Sequence, residues 1–212
     1  MPDLSLHEAM YTLRAMRRLK PDPVSEEDLR YLVDAATMAP TATNAQTWAF
    51  VVITDSLQRR AIGEIYREIG RRLIRDEALA GGQLSDKAAK VYHNAMILVE
   101  GMVDVPAQIL IAARGKHPTD PIQAAAYYGS IYPAVQNLML AARSRGLGAT
   151  LTTLHKARER DVKAVLSIPD DYETIALIPV GVPVGRWGRP LRRPSREVTH
   201  WDRWGGSGPV GR

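Results

Sequence analysis

Four short apolar runs, separated by longer segments with helical spacing, limit most strongly what this chain can fold into. Runs of this length and β-branched content predict buried strands. They cover residues 48–53, 107–113, 149–153 and 174–180. The intervening segments place apolar residues three and four apart, which predicts helices over about 57–75, 85–99, 122–145 and 157–166. The alternation therefore predicts one sheet packed against helices.

The helix before the first strand has a clear start signal. Ser25 is followed by three acidic residues, a pattern typical of an N-cap and a first helical turn. Apolar residues at helical spacing continue to Ala36, and Pro40 ends the pattern. In the long central helix, Pro133 predicts a kink or an internal start. A first helix is also expected near the N-terminus, and Arg14, Arg17 and Arg18 are expected to lie at its end.

Composition excludes several classes of protein. A chain of 212 residues with 45% apolar and 24% charged residues predicts one globular domain over 1–212. The absence of cysteine excludes disulfides, thiolate catalysis and cysteine metal sites. The apolar runs are too short to span a bilayer, and the N-terminus lacks the pattern of a secretory signal. We therefore expect a cytoplasmic protein that does not insert into membranes.

The C-terminal segment, residues 183–212, differs from the rest. It contains four prolines, six glycines and three of the four tryptophans, so it cannot form a core of its own. From residue 185 it carries seven arginines against two acidic residues, an excess equal to the whole net charge of +5. Because the cations decorate a tail instead of a folded face, nucleic-acid binding is not expected. The tail is predicted to wrap a partner subunit, and the alternative is that it folds back on its own domain.

Familiar catalytic patterns are missing. The five histidines show no paired ligand spacing, and Gly129-Ser130-Ile131 is not a nucleophile elbow. The pair of glycines at 146 and 148 follows a helix, so it does not fit a dinucleotide-binding turn. The sequence therefore predicts no metal site and no catalytic residue.

Cations, hydroxyls and amides instead recur in separate loops. The first set of arginines, the stretch APTATNAQTW at 39–48, the segment 146–153 and the pair Arg192-Arg193 share this character. Arginine forks bind phosphate, while hydroxyls, amides and small residues suit a sugar-like chain and a flat ring. Together they predict a phosphorylated planar ligand, although each arginine alone could be a solvated surface residue.

Three stretches, at 13–55, 129–155 and 192–204, carry a resemblance. In this order and spacing they are similar to the nitroreductase family of FMN-dependent oxidoreductases, and most of all to its actinobacterial branch. The resemblance implies an α+β fold with a central mixed β-sheet flanked by helices. It also implies a homodimer with two FMN sites at the subunit interface, and a C-terminal extension that embraces the other subunit.

The resemblance also implies cofactor contacts. The family's Arg-Arg-Ser-x-Arg element falls on residues 13–17, where Leu13 and Ala15 depart from it. Arg14, with Arg192, is then expected to hold the flavin phosphate, and Arg17 to lie near the N1–C2 edge of the flavin. The remaining expected cofactor contacts are Ala15, Met16, Thr41, Asn44, Gln46, Thr152, Thr153 and Leu154.

Two neighbouring side chains have competing interpretations. Trp48 opens a predicted strand and is expected in the core in preference to a stack on the cofactor. His155 could reach a substrate, but a structural position is preferred.

The chemistry implied by the resemblance is a ping-pong hydride transfer. NAD(P)H would reduce FMN at N5, and a nitroaromatic, a quinone or a similar small molecule would then accept the hydride. The alternatives are another reaction on the same fold, such as flavin fragmentation or dehalogenation, and a flavin-binding protein without catalysis. The acceptor pocket is expected to include residues 69–83.

Overall fold

The computed structural model describes residues 4–80 and 86–208. Its helices are α1 (Leu6–Thr12), α2 (Glu26–Thr37), α3 (Ser56–Ala80), α4 (Asp86–Gly101), α5 (Pro121–Ser144) and α6 (Glu159–Leu166). Its strands are β1 (Trp48–Ile53), β2 (Ala107–Arg114), β3 (Gly148–Ala149) and β4 (Tyr172–Gly181). Part of the expected acceptor pocket, residues 81–83, lies outside the described residues.

Local signals placed most of these elements correctly. Ser25 caps α2, and its Oγ accepts a hydrogen bond from the Asp28 N–H at 3.0 Å. Helix α5 continues through Pro133. The predicted strand at 149–153 is wrong in extent, because β3 has two residues and only Thr152 adds an isolated bridge, to Leu177. Helix α1 ends at Thr12, so the three arginines follow the helix on an extended segment.

The sheet has the order β1-β2-β4-β3, and each neighbouring pair is antiparallel. The α+β class is confirmed, whereas the four described strands do not form the expected mixed sheet. Strands β2 and β3 run in the same direction, as the single crossover helix α5 requires. Strand β4 inserts between them and replaces one parallel pair by two antiparallel pairs.

Helices cover both faces of the sheet. On one face α2 and α5 pack on Ile109, Ile111 and Ile178, which are completely buried. On the other face α3, α4 and α6 pack on Leu110 and Leu177. This alternation along β2 and β4 is the period of two that a sheet buried on both sides requires. The result is a three-layer arrangement whose β3 end lies beside the segment after α1.

The first residues of the tail contact their own domain, whereas the later residues are exposed. Residue 183 bridges to Leu19, and the guanidinium of Arg143 lies 4.3 Å from the centre of the Trp187 ring. From residue 191 to 205, however, every residue is exposed, with Trp204 at 89%. Folding back on the same domain therefore describes only the start of the tail. Its contact with a partner subunit stays a prediction.

Candidate functional site

A cavity of about 930 Å³ lies between the segment after α1, helix α5, strand β3 and the tail. Four of the expected cofactor contacts line it, namely Arg14, Ala15, Arg17 and Arg192. The remaining lining residues are Met10, Tyr11, Leu13, Gln136, Met139, Ala149, Thr150, Leu151, Arg189, Pro190 and Leu191. Residues that are up to 182 positions apart in the sequence thus meet at one site.

The segment that carries Arg14 and Arg17 is held by its backbone and by one buried side chain. The Met16 N–H donates to the Ala149 carbonyl at 3.2 Å, and the Met16 side chain is buried. Gly148 permits this contact, because a Cβ there would lie 2.9 Å from the Met16 Cβ and 2.8 Å from Leu19 Cδ2. Met16 thus anchors the segment, and it does not line the large cavity.

The cavity is strongly positive. Four arginines line it, and no acidic residue is among its lining residues. Within the described residues, no carboxylate lies within 4.0 Å of Arg14, Arg17 or Arg192. Free guanidinium groups are the donors that bind phosphate in bidentate pairs. The volume also falls in the range of about 300–1,000 Å³ that cofactor sites occupy. The residues present therefore fit a phosphate-bearing flavin.

A partly buried hydrogen bond supports the segment that follows β3. The Tyr66 hydroxyl on α3 lies 2.9 Å from Thr152 Oγ1, and the Thr152 backbone exchanges two hydrogen bonds with Leu177. Burial raises the pKa of the Tyr66 hydroxyl, and the hydrogen bond to Thr152 and the charge of Arg17 partly oppose this rise. Thr152, Thr153 and Leu154 do not line the large cavity, but they continue the chain directly from Leu151, which does.

The loop that carries Thr41, Asn44 and Gln46 lies elsewhere. The Ala42 N–H donates to Ser130 Oγ at 2.9 Å, and Ser130 precedes the cavity residue Gln136 by about 9 Å along α5. None of the three predicted loop residues lines the large cavity. Within one chain, the structure therefore does not bring this loop to the arginines.

The loop is organised by its own contacts and carries backbone strain. Gln46 Nε2 donates to Asn44 Oδ1 at 2.9 Å, and the Gln46 N–H donates to Thr41 Oγ1 at 3.2 Å. Thr43, Asn44 and Gln46 all have positive φ, at 51°, 55° and 47°. For the β-branched Thr43 this conformation is unusual, and such outliers concentrate at binding sites.

Trp48 and His155 are both structural. Trp48 packs against the core cluster that contains α2 and α5. His155 is completely buried, and neither ring nitrogen has a hydrogen-bond partner within the described residues. Burial, assisted by the charge of Lys156, lowers the pKa of His155 to about 4, with Glu159 opposing the shift. His155 does not line the large cavity.

Several cavity residues were missed at the sequence level. Gln136 and Met139 come from α5, and Met10 and Tyr11 come from α1. A signal existed for Gln136, because it forms with Asn137 a polar pair within the otherwise apolar stretch 133–142 of α5. Tyr11 and Met10 gave no sequence signal of a binding site, because single exposed apolar residues are common on protein surfaces.

Other site types find no support in the part of the chain that the structure describes. No group of three histidine, cysteine or acidic side chains is arranged to hold a metal ion. No described helix combines the length and apolar character needed to cross a membrane.

Comparisons with known proteins identify the family of the chain. The model of the Nitroreductase family matches residues 13–182. A 5,6-dimethylbenzimidazole synthase from Rhodospirillum rubrum is 27% identical, with 85% of this chain and 87% of that protein covered.

Two solved structures share the fold. Iodotyrosine deiodinase bound to FMN and 3-iodo-L-tyrosine superposes with a TM-score of 0.72 at 20% identity, covering 90% of this chain and 96% of that one. The FMN and NADPH-dependent nitroreductase NfnB from sphigopyxis sp. strain HMH gives 0.70 at 21% identity, covering 94% and 100%. The expected fold is thereby confirmed, and because the family model covers most of the sequence, the chain belongs to the nitroreductase family.

Proposed function

We propose that the protein is an FMN-dependent oxidoreductase that passes hydride from NAD(P)H to a nitroaromatic, a quinone or a related small acceptor. The observation that carries this proposal is the 930 Å³ cavity, which among the described residues is lined by four arginines and by no acidic side chain. Nine of its fifteen lining residues, Arg14 and Arg17 among them, lie within residues 13–182 that the nitroreductase family model matches, and this supports the same assignment. NfnB, a nitroreductase that depends on FMN and NADPH, gives the cofactor and the donor their chemical class.

Different arginines would contact different parts of the cofactor. Arg14 and Arg192 reach the large cavity from opposite ends of the sequence and would bind the phosphate. Arg17 would place a fixed cation beside the ring edge that becomes negative on reduction, and this stabilises the reduced form. When bound, FMN supplies the hydride-accepting and hydride-donating chemistry. The chain supplies binding, orientation and charge, which accounts for the absence of a predicted catalytic residue.

We also propose that two chains complete the site. The loop with Thr41, Asn44 and Gln46 is separated from the arginines within one chain, so it would serve the cavity of the partner. Large apolar side chains are exposed on α1 and α5, with Leu6 at 68% and Ile122 at 80%. Exposed apolar surface of this kind marks protein interfaces. The single domain over 1–212, the tail over 183–212 and the cytoplasmic location stay predictions.

A different flavin reaction is the second candidate. The 27% identity to a 5,6-dimethylbenzimidazole synthase favours it. A fold common to several chemistries does not select among them.

Anaerobic stopped-flow reduction tests the proposal. The purified protein is loaded with FMN and mixed with NADH or NADPH under argon, and flavin absorbance is followed. We expect at least one donor to bleach the flavin and a nitroaromatic or a quinone to restore the colour. If neither donor bleaches bound FMN, the NAD(P)H oxidoreductase assignment fails and the second candidate is favoured. A protein that does not bind FMN would exclude both.

A further inference from the structure

A second, smaller cavity adjoins the proposed flavin site. It has a volume of about 300 Å³, and Arg14, Arg17, Arg18 and Arg186 line it. The remaining lining residues are Ala15, Met16, Asn94, Val184 and Gly185. The first two arginines also line the large cavity, whereas Arg18 and Arg186 belong to the small cavity alone.

The fold brings Arg18 and Arg186 together by a specific turn. The Val184 N–H donates to the Arg18 carbonyl at 2.8 Å, which fixes the register of the two segments. Gly185 follows with φ of +130°, a conformation that other residues rarely adopt. A Cβ at Gly185 would lie 3.7 Å from Arg18 Nη2. The chain therefore bends at residues 184–185 beside Arg18, and Arg186 lines the same cavity.

This clustering is electrostatically unfavourable unless an anion is present. Four arginines line one small volume, and like charges at short distance repel one another. No acidic residue lines the small cavity. Among the residues that the structure describes, no carboxylate forms an ion pair with Arg18 or Arg186. A dianionic phosphate would neutralise the pair through bidentate hydrogen bonds.

We propose that Arg18 and Arg186 bind a phosphate group of the hydride donor, namely the 2′-phosphate of NADPH. This inference rests on the proposed function, which assigns the FMN phosphate to Arg14 and Arg192 in the large cavity. Since Arg18 and Arg186 do not reach that cavity, the FMN phosphate leaves them unneutralised. The pair would make the protein discriminate between NADPH and NADH. A phosphorylated acceptor offers the same chemistry, and the experiment separates the two sources.

The direct test measures binding without turnover. FMN-loaded protein is titrated calorimetrically with adenosine 2′,5′-bisphosphate and with 5′-AMP, which lacks only the 2′-phosphate. We expect the wild type to prefer the bisphosphate. The substitutions Arg18→Ala and Arg186→Ala should each weaken bisphosphate binding by about tenfold to a hundredfold, the usual effect of losing a hydrogen bond between charged groups. Affinities for 5′-AMP and FMN should stay unchanged.

Arg60→Ala is the matched control. Arg60 is an exposed arginine on α3 that lines neither cavity, so its removal changes the net charge equally. If this control weakens bisphosphate binding as much as the two variants do, the effect is a general one of net charge and the proposal is overturned. A loss of FMN affinity in Arg18→Ala that equals the loss of bisphosphate affinity would assign Arg18 to the flavin and would also overturn it.

Steady-state kinetics identify the source of the phosphate. If NADPH supplies it, the ratio of kcat/KM for NADPH to that for NADH should fall about tenfold or more in both variants. An unchanged ratio, together with lost bisphosphate binding, would overturn the NADPH assignment in favour of a phosphorylated acceptor. Failure of the proposed function appears separately, as failure of both donors to reduce bound FMN in the wild type.

Discussion

The buried imidazole of His155 should make the protein sensitive to acid. It is completely buried, both ring nitrogens lack hydrogen-bond partners among the described residues, and its pKa is lowered to about 4. Replacing it by leucine removes the titrating group and keeps a side chain of similar size. The substitution therefore isolates the free energy of unfolding that is lost when the buried imidazole is protonated.

The sign and size of the effect follow from linkage. The folded-state pKa of about 4 lies below the unfolded value of 6.5, so between these pH values the unfolded chain binds more protons. The contribution of His155 to the free energy of unfolding is thus complete above pH 6.5 and is lost as pH falls towards 4. The full loss is about 3 kcal/mol, of which about 2 kcal/mol is gone by pH 4.5.

Urea unfolding followed by circular dichroism at pH 7 and pH 4.5 measures this effect. Protein and FMN concentrations are held constant, because dimerisation and ligand binding also change the apparent stability. At pH 7 we expect His155→Leu to be at least as stable as the wild type, since no unpaired ring nitrogens remain buried. At pH 4.5 it should be more stable than the wild type by about 2 kcal/mol beyond the difference at pH 7.

The control variant is His93→Leu, which removes an exposed imidazole from α4. The change in its stability difference between the two pH values serves as the baseline. If the change for His155→Leu did not exceed this baseline, the buried imidazole would not be the group that titrates and the reasoning would be refuted.

Four further predictions concern the proposed site. Arg17→Ala should weaken binding of oxidised FMN about tenfold and lower the flavin potential by about 30 mV, measured by fluorescence titration and by dye equilibration; an unchanged potential would remove Arg17 from its role. Gly148→Ala should reduce FMN affinity, because its Cβ would displace the segment that carries Arg17; normal affinity with normal stability would contradict this. Tyr66→Phe should shift the flavin potential only while Thr152 is present, so equal shifts in wild type and Thr152→Val backgrounds would show that Tyr66 does not act through Thr152. A chain truncated after Pro190 should sediment as a monomer with native circular dichroism, because residues 191–205 are exposed on their own chain. A stable dimer of the truncated chain would disprove the role of the tail.

Local sequence signals predicted the secondary structure well. The cap at Ser25 and the strand at Trp48–Ile53 were found because they depend on residues that are neighbours in the chain. The strand predicted at 149–153 failed because apolar content cannot show which residues find an edge to pair with. The mixed sheet failed for a related reason, since the insertion of β4 between β2 and β3 depends on strands far apart in sequence.

The candidate site divides in the same way. The resemblance assigned the arginines at 14 and 192 to the flavin phosphate and Arg17 to the N1–C2 edge of the flavin, and a guanidinium can bind an anion in any fold. The prediction of one shared ligand did not show which further residues line the cavity, nor that no acidic side chain is among its described lining residues. For His155 a structural position was preferred, but nothing in LTTLHKAR shows that the imidazole is completely buried without a hydrogen-bond partner among the described residues.

The sequence by itself determined the chemical groups, the order of helices and strands, and the absence of cysteine chemistry, because these depend on residue identity and on contacts within a few positions. Only the tertiary structure decided which arginines share a cavity, which strand separates β2 from β3 and which histidine is removed from water. The physical reason is that such pairings are selected by packing of both sheet faces at once, and packing joins residues that are more than a hundred positions apart.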